Sequence, residues 1–177
     1  QVALWINLGN VSKWIIFYFR SALIISCASK DEKLQNNKDY IKRIANEIKF
    51  EDGFNTIKII GERRSVFRSY FISDELVFIN EEVTIADRGS SVNHYYFKDD
   101  QLISYEQKTI LMRDDSLNIT SKTMITLGMY LDNKTILESN YWIGSVQTTI
   151  VESDVEKVIS HAALLKELAE KNRPRKN

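Results

Sequence analysis

Three segments of this chain repeat one pattern: Tyr70-Phe71-Ile72-Ser73-Asp74-Glu75-Leu76-Val77-Phe78, Tyr96-Phe97-Lys98-Asp99-Asp100-Gln101-Leu102-Ile103-Ser104-Tyr105 and Tyr130-Leu131-Asp132-Asn133-Lys134-Thr135-Ile136-Leu137. Each is an aromatic-apolar pair, a polar turn centred on Asp or Asn, then an apolar pair. Asp and Asn suit turns because their short side chains bond the local backbone and tolerate positive φ. With β-branched and aromatic residues on both sides, each segment is a β-hairpin signal. Hairpins join antiparallel strands, so they predict an antiparallel sheet from Phe54 to about Val151. Their spacing, about 26 and 34 residues, is too irregular for a solenoid or propeller. The expectation is a meander of roughly six to eight strands.

Helical patterns flank this region. From Asn37 to Phe50, Ile41, Ile44, Ala45 and Ile48 share one face, with Asn37 as the expected cap. Near the other end, Ser153-Asp154-Val155-Glu156 is a capping-box sequence. Val155, Val158, Ile159, Ala162, Leu165 and Leu168 then form an apolar stripe. Pro174 lies beyond it, and residues 173–177 read as a flexible tail. The predicted fold class is α+β: an antiparallel meander flanked by an N-terminal and a C-terminal helix, in a single domain over residues 38–172. Both helices are expected on one face of the sheet, with the other face open to water or a ligand.

Few function classes are favoured by the residues. Net formal charge is zero, so no electrostatic case for nucleic acid arises. The single cysteine excludes an internal disulfide and a four-cysteine zinc site. His94 lies in a predicted strand and His161 on the C-terminal helix, and neither has the second ligand of a zinc motif. Asp99, Asp100, Asp114 and Asp115 fall in predicted turns, where adjacent acids are solvated rather than catalytic. There is no glycine-rich phosphate loop and no nucleophile elbow. No catalytic residue, metal or cofactor is assigned. Among the many aromatics of the sheet, Tyr141 and Trp142 are the candidates for a ligand- or partner-binding face.

The N-terminal region carries a different kind of signal. Lys13 precedes the apolar run Trp14-Ile15-Ile16-Phe17-Tyr18-Phe19, and after Arg20 comes Ser21-Ala22-Leu23-Ile24-Ile25-Ser26-Cys27. The run is shorter than the roughly 20 residues a spanning helix needs and matches a signal-peptide core. Leu23-Ile24-Ile25-Ser26-Cys27 resembles the lipobox of bacterial lipoproteins, over about residues 13 to 32. The resemblance implies a signal peptide over residues 1–26, of which 1–10 are a fragment of something longer or an over-extended reading frame. It also implies lipid on Cys27 and a tether over residues 27–37. Ala28 and Ser29 after the cysteine imply the outer membrane. Lys30-Asp31-Glu32 is similar to the acidic export tags of surface lipoproteins in some Bacteroidetes.

The functional expectation is a membrane-anchored lipoprotein whose domain is a non-enzymatic binding or structural module of the cell envelope. Its partners are then the membrane, through the lipid, and an envelope protein, lipid or glycan on the open sheet face. A periplasmic lipid- or ligand-binding half-barrel and an enzyme with an unrecognised site are the alternatives.

Overall fold

The computed structural model describes residues 28–50, 53–60, 63–86, 88–114 and 120–173. Helix α1 spans Lys30–Glu47 and runs into a short 3-10 turn, Ile48–Phe50. Eight strands follow: β1 Phe54–Ile60, β2 Arg63–Ile72, β3 Glu75–Ile85, β4 Gly89–Lys98, β5 Gln101–Asp114, β6 Thr120–Asp132, β7 Thr135–Ile143 and β8 Val146–Thr148. Helix α2, Glu152–Asn172, comes last. The strands form one sheet in chain order, every neighbour antiparallel. This is the α+β meander with a helix at each end that the sequence predicts.

The three repeated segments are three hairpins of one geometry. Both turn residues have positive φ in each: Ser73 and Asp74, Asp99 and Asp100, Asn133 and Lys134. A two-residue loop with two positive φ values matches the right-handed twist of its strands. A bulge follows at the same place each time. Tyr70 pairs with Phe78 but Phe71 with Leu76, leaving Val77 as the extra residue. Ile103 and Leu137 are the extra residues of the other two hairpins. In a meander, alternate connections emerge at one end, so the three hairpins lie together. Their unequal spacing reflects β5 and β6, at 14 and 13 residues, against 11 and 10 in β3 and β4.

The bulge feeds both faces of the sheet. Leu76 and Ile79 join one core cluster with Tyr95, Phe97, Tyr105, Met129 and Leu131, beneath Val155, Ala162, Leu165 and Ala169 of α2. Val77 and Phe78 join another with Tyr96 and Ile103, against Ile44 and, at its margin, Tyr40, Ile41 and Ile48 of the α1 region. Neighbouring residues such as Tyr95 and Tyr96 point to opposite faces of a strand. The helices therefore cover opposite faces, and the expectation that both lie on one face is corrected.

Both helix starts also differ from expectation. The stretch Lys30 to Asn37, read as tether, forms the first turns of α1. Ser29 is the cap, its hydroxyl accepting from the Glu32 amide at 3.1 Å. Asn37 is not a cap but a buried residue whose Nδ2 donates to the Leu131 carbonyl at 2.9 Å. Lys33 pairs with Asp132 at 2.7 Å and Lys38 with Glu138 at 3.0 Å. These long-range polar contacts order a segment that lacks an apolar stripe. Helix α2 begins at Glu152 after Val151, which makes no side-chain cap, so the Ser153–Glu156 capping box is not used.

A chain beginning at Asn37 loses the Ser29 cap, two turns of helix and the Lys33–Asp132 pair. A cap contributes about 1 kcal/mol, and about 1 kcal/mol shifts the melting temperature of a domain this size by roughly 2–4 °C. Thermal unfolding of that chain is expected at least about 3 °C below that of one beginning at Ala28. Equal midpoints would show that these turns are not part of the folded unit.

Candidate functional site

The sheet face beneath α2 changes character along its strands. Near the hairpins the cross-strand rows are apolar: Phe71, Leu76, Phe97, Leu102, Leu131 and Ile136 pair across β2 to β7. Further along, register aligns Phe67, Glu81, Asn93 and Gln107, and beyond them Lys58, Ser65, Val83, Ser91 and Thr109. Period-two alternation puts each of these rows on one face. Helix α2 lays its small and apolar residues, Ala162, Leu165 and Ala169, over the apolar rows. Over the polar rows it brings Lys157, Val158 and His161. There a cleft of about 530 Å³ opens between sheet and helix.

Glu81 is the centre of the cleft floor, with only 1% of its surface exposed. Its Oε1 accepts from the Ser65 hydroxyl at 2.6 Å, and its Oε2 accepts from Asn93 Nδ2 at 3.0 Å and the Tyr95 hydroxyl at 2.9 Å. His161 Nε2 reaches both oxygens, at 3.0 and 3.1 Å. A second layer holds this one. Asn93 Oδ1 accepts from Ser91 at 2.8 Å and from Tyr105 at 3.3 Å, and Thr109 donates to Ser91 at 2.8 Å. A buried carboxylate is tolerated only when its charge is paired and its lone pairs are filled, and here six strand residues in two layers and one helix residue do this.

Burial by itself pushes the Glu81 carboxyl up. The hydrogen bonds from His161, Ser65 and Asn93 and the His161 charge outweigh it and hold the group at about 2. The same burial, with the Glu81 charge, drives the Tyr95 hydroxyl far above its ordinary value, so Tyr95 remains a donor. Tyr105 is raised by burial and by Glu81 in the same way. The floor is thus a fixed anion ringed by neutral donors and one imidazole.

The candidates named from sequence lie elsewhere. Tyr141 is half-buried and packs against the cluster under α2. Trp142, next along β7, points to the opposite face and is 38% exposed. Alternation separates them, and neither lines the cleft. His94 is on the α1 face beside Glu106, at 3.5 Å. Asp99 and Asp100 are hairpin residues, as expected, and Asp114 ends β5 rather than forming a turn. Cys27, the preceding leader and Asp115 lie outside the described residues.

Among the described residues, no group of three or more His, Cys, Asp or Glu side chains gathers to hold a metal ion. No described helix is long and apolar enough to cross a membrane. Comparison with known protein families, with curated proteins and with solved structures gives no match.

Sequence reasoning passed over Glu81 and did not join it to His161. One local signal exists. In Leu76-Val77-Phe78-Ile79-Asn80-Glu81-Glu82-Val83, Glu81 shares strand parity with Ile79 and Val83, so one charge of the pair must face inward. The His161 partner, 80 residues later, carries no such mark.

The Glu81 carboxyl makes stability depend on acid. Its folded value, about 2, is below the ordinary 4.5. The stabilisation is therefore fully present above about pH 4.5 and is lost as pH falls toward about 2. At about 1.4 kcal/mol per pKa unit it amounts to about 3 kcal/mol. Glu81→Gln is expected to lower stability at pH 7 by about 2–3 kcal/mol and to flatten this part of the acid dependence. Chemical denaturation at pH 7 and pH 3 checks both. An unchanged acid slope in the variant would assign the dependence to other carboxylates.

Proposed function

We propose that this chain is a membrane-anchored lipoprotein of the bacterial cell envelope. Its domain is a non-enzymatic binding module that takes a small polar ligand in the cleft between the sheet and α2. The observation that carries the binding reading is the cleft floor. Apolar residues in place of a buried ion pair often give equal or greater stability. A dozen polar and charged atoms arranged along one wall of a cleft suit recognition better than core packing. The hydrogen bonds among them fix each side chain before a ligand arrives, which lowers the ordering cost of binding. The apolar part of this face is filled by Leu165, Ala162 and Ala169, which favours a polar ligand over a lipid tail. Glu81 supports a binding role over catalysis. A carboxyl held at about 2 has no proton to give near neutral pH, and its oxygens are already engaged.

The binding reading is tested by thermal unfolding against a mixed set of sugars, amino acids, nucleotides, organic acids and polyamines. At least one class is expected to raise the midpoint by about 2 °C or more at ligand well above its dissociation constant. Val83→Trp, which fills the cleft from its wall, is expected to remove that shift. No response to any class would overturn the reading.

The anchoring reading rests on Leu23-Ile24-Ile25-Ser26-Cys27. In a bacterial host, mass measurement of the N-terminal peptide is expected to find a diacylglyceryl group on Cys27. Two acyl chains hold a protein stably where one does not. Cys27→Ser is expected to shift the protein from the detergent phase to the aqueous phase at unchanged melting temperature. An unmodified thiol on a chain that still carries Trp14 to Ser26 would refute it.

A further inference from the structure

The cleft has a saturated floor and an unsaturated rim. Ser65, Ser91, Asn93, Tyr95, Tyr105 and Thr109 spend their hydrogen bonds on one another and on Glu81. Above them stand Lys58 and Gln107. Both are half-buried on the α2 face of the sheet, through pairing of Lys58 with Ser65 and of Gln107 with Asn93. Both line the cleft, and neither side chain has a hydrogen bond or ion pair among the described residues. A half-buried ammonium with no counter-charge is costly, and a half-buried amide without a partner is unusual. From the helix side come Lys157 and His161. His161 spends Nε2 on Glu81, which leaves the other ring nitrogen for a ligand. Lys157 is paired with Asp154 at 2.7 Å in an exposed contact that exchanges at little cost.

The charges that face a ligand follow from this arrangement. Lys58 comes from β1, Glu81 from β3, and Lys157 and His161 from α2. Glu81 is buried beneath its four donors, so its charge is turned inward and compensated. The rim therefore presents ammonium groups, an imidazole and an amide, which favours an anion. The cleft, at about 530 Å³, is far larger than one phosphate or carboxylate group. Only Val83 and Val158 among its lining residues are aliphatic. Every other lining residue ends in a hydroxyl, amide, ammonium, imidazole or carboxylate group, which favours polar groups on the body of the ligand as well.

We propose that the cleft binds a small, soluble, hydroxylated oxyanion, a sugar phosphate or sugar acid, with Lys58 contacting the anionic group and Gln107 the polar body. This assignment rests on the binding-module reading above.

The test is titration calorimetry on the full chain at pH 7 and low salt, with glucose 6-phosphate and glucuronate as probes. Glucose, spermidine and vesicles of phosphatidylglycerol are the comparison arms. At least one of the two anions is expected to bind, at least tenfold tighter than glucose, with affinity falling as salt rises. Lys58→Glu is expected to weaken it at least tenfold, and Gln107→Ala several-fold, at unchanged melting temperature because neither side chain has a hydrogen-bond or ion-pair partner among the described residues. Absence of binding by both anions, equal binding of glucose, or undiminished affinity in Lys58→Glu would overturn the assignment. So would binding to vesicles without binding to either free anion, which would make the ligand a lipid headgroup. Binding of glucose or spermidine that Val83→Trp abolishes would overturn the anion assignment yet leave the binding module standing, whereas silence of every ligand class would overturn both.

Discussion

At the hairpin end, the sheet is apolar on both faces, and the rest of the fold is built around that fact. Each hairpin turns through two residues of positive φ and then inserts one extra residue, Val77, Ile103 or Leu137. The insertion shifts side-chain parity, so an apolar pair such as Leu76-Val77 serves two cores at once. Neither face can be left to water there. Helix α2 covers one with Leu165 and its neighbours, and α1 covers the other with Ile44. The hairpin tips also hold the helices in place. Lys166 pairs with Asp100 at 2.8 Å, Arg173 pairs with Asp74, and Lys33 pairs with Asp132. These surface pairs contribute little energy individually, but they fix which turn of helix meets which hairpin.

Away from the hairpins that demand relaxes, and the chain uses the freedom for polar residues. Between the Tyr95 row and the Ser91 row, the face under α2 passes from ring and methyl contacts to hydroxyls, amides and a carboxylate. Tyr95 and Tyr105 mark the boundary, with ring centroids 5.0 Å apart and hydroxyls pointing into the network. Helix α2 changes in step, from Leu165 through Ala162 to His161. One helix thus closes the core at one end and forms the wall of a cleft at the other. The continuity matters for the site, because the residues that position Glu81 stand on strands held by the core.

What the sequence discloses divides by range. The hairpins are legible because turn chemistry is local: Asp, Asn and the flanking aromatics sit within a few residues of the bend. The α2 stripe is legible because Val155, Ala162 and Leu165 repeat at helical spacing. The start of α1 is not, because Lys33 and Asn37 find partners in Asp132 and Leu131, about a hundred residues away. The covering of both faces is also hidden. A bulge breaks the period of two, so an apolar pair beside a turn looks the same whichever face it serves. Trp142 and Tyr141 attract notice by type, yet alternation sends them to different faces. Glu81 is half-legible through its strand parity, whereas its function depends on a histidine brought to it only by the packing of α2.

With the proposed lipid on Cys27, geometry adds one consequence. Two residues, Ala28 and Ser29, separate Cys27 from Lys30, and the three Cα–Cα steps reach at most about 11 Å even when fully extended. The first turn of α1 would then lie at the bilayer surface, and Lys33 ties that turn to Asp132 at the tip of the β6–β7 strands. The hairpin end would thus be the anchored end. From Phe97, beside the β4–β5 hairpin, to Ser91 in the cleft is six residues along one strand, about 20 Å at 3.3 Å per residue. The cleft, lined on β4 from Tyr95 to Ser91, therefore runs from the middle of the strand away from the end where the anchor would lie. A lipid binder gains from having its mouth beside the bilayer. A receptor for a water-soluble ligand gains from the reverse arrangement, in which a short anchor would hold one end and the cleft opens away from it, where the polar rim of Lys58 and Gln107 meets solutes.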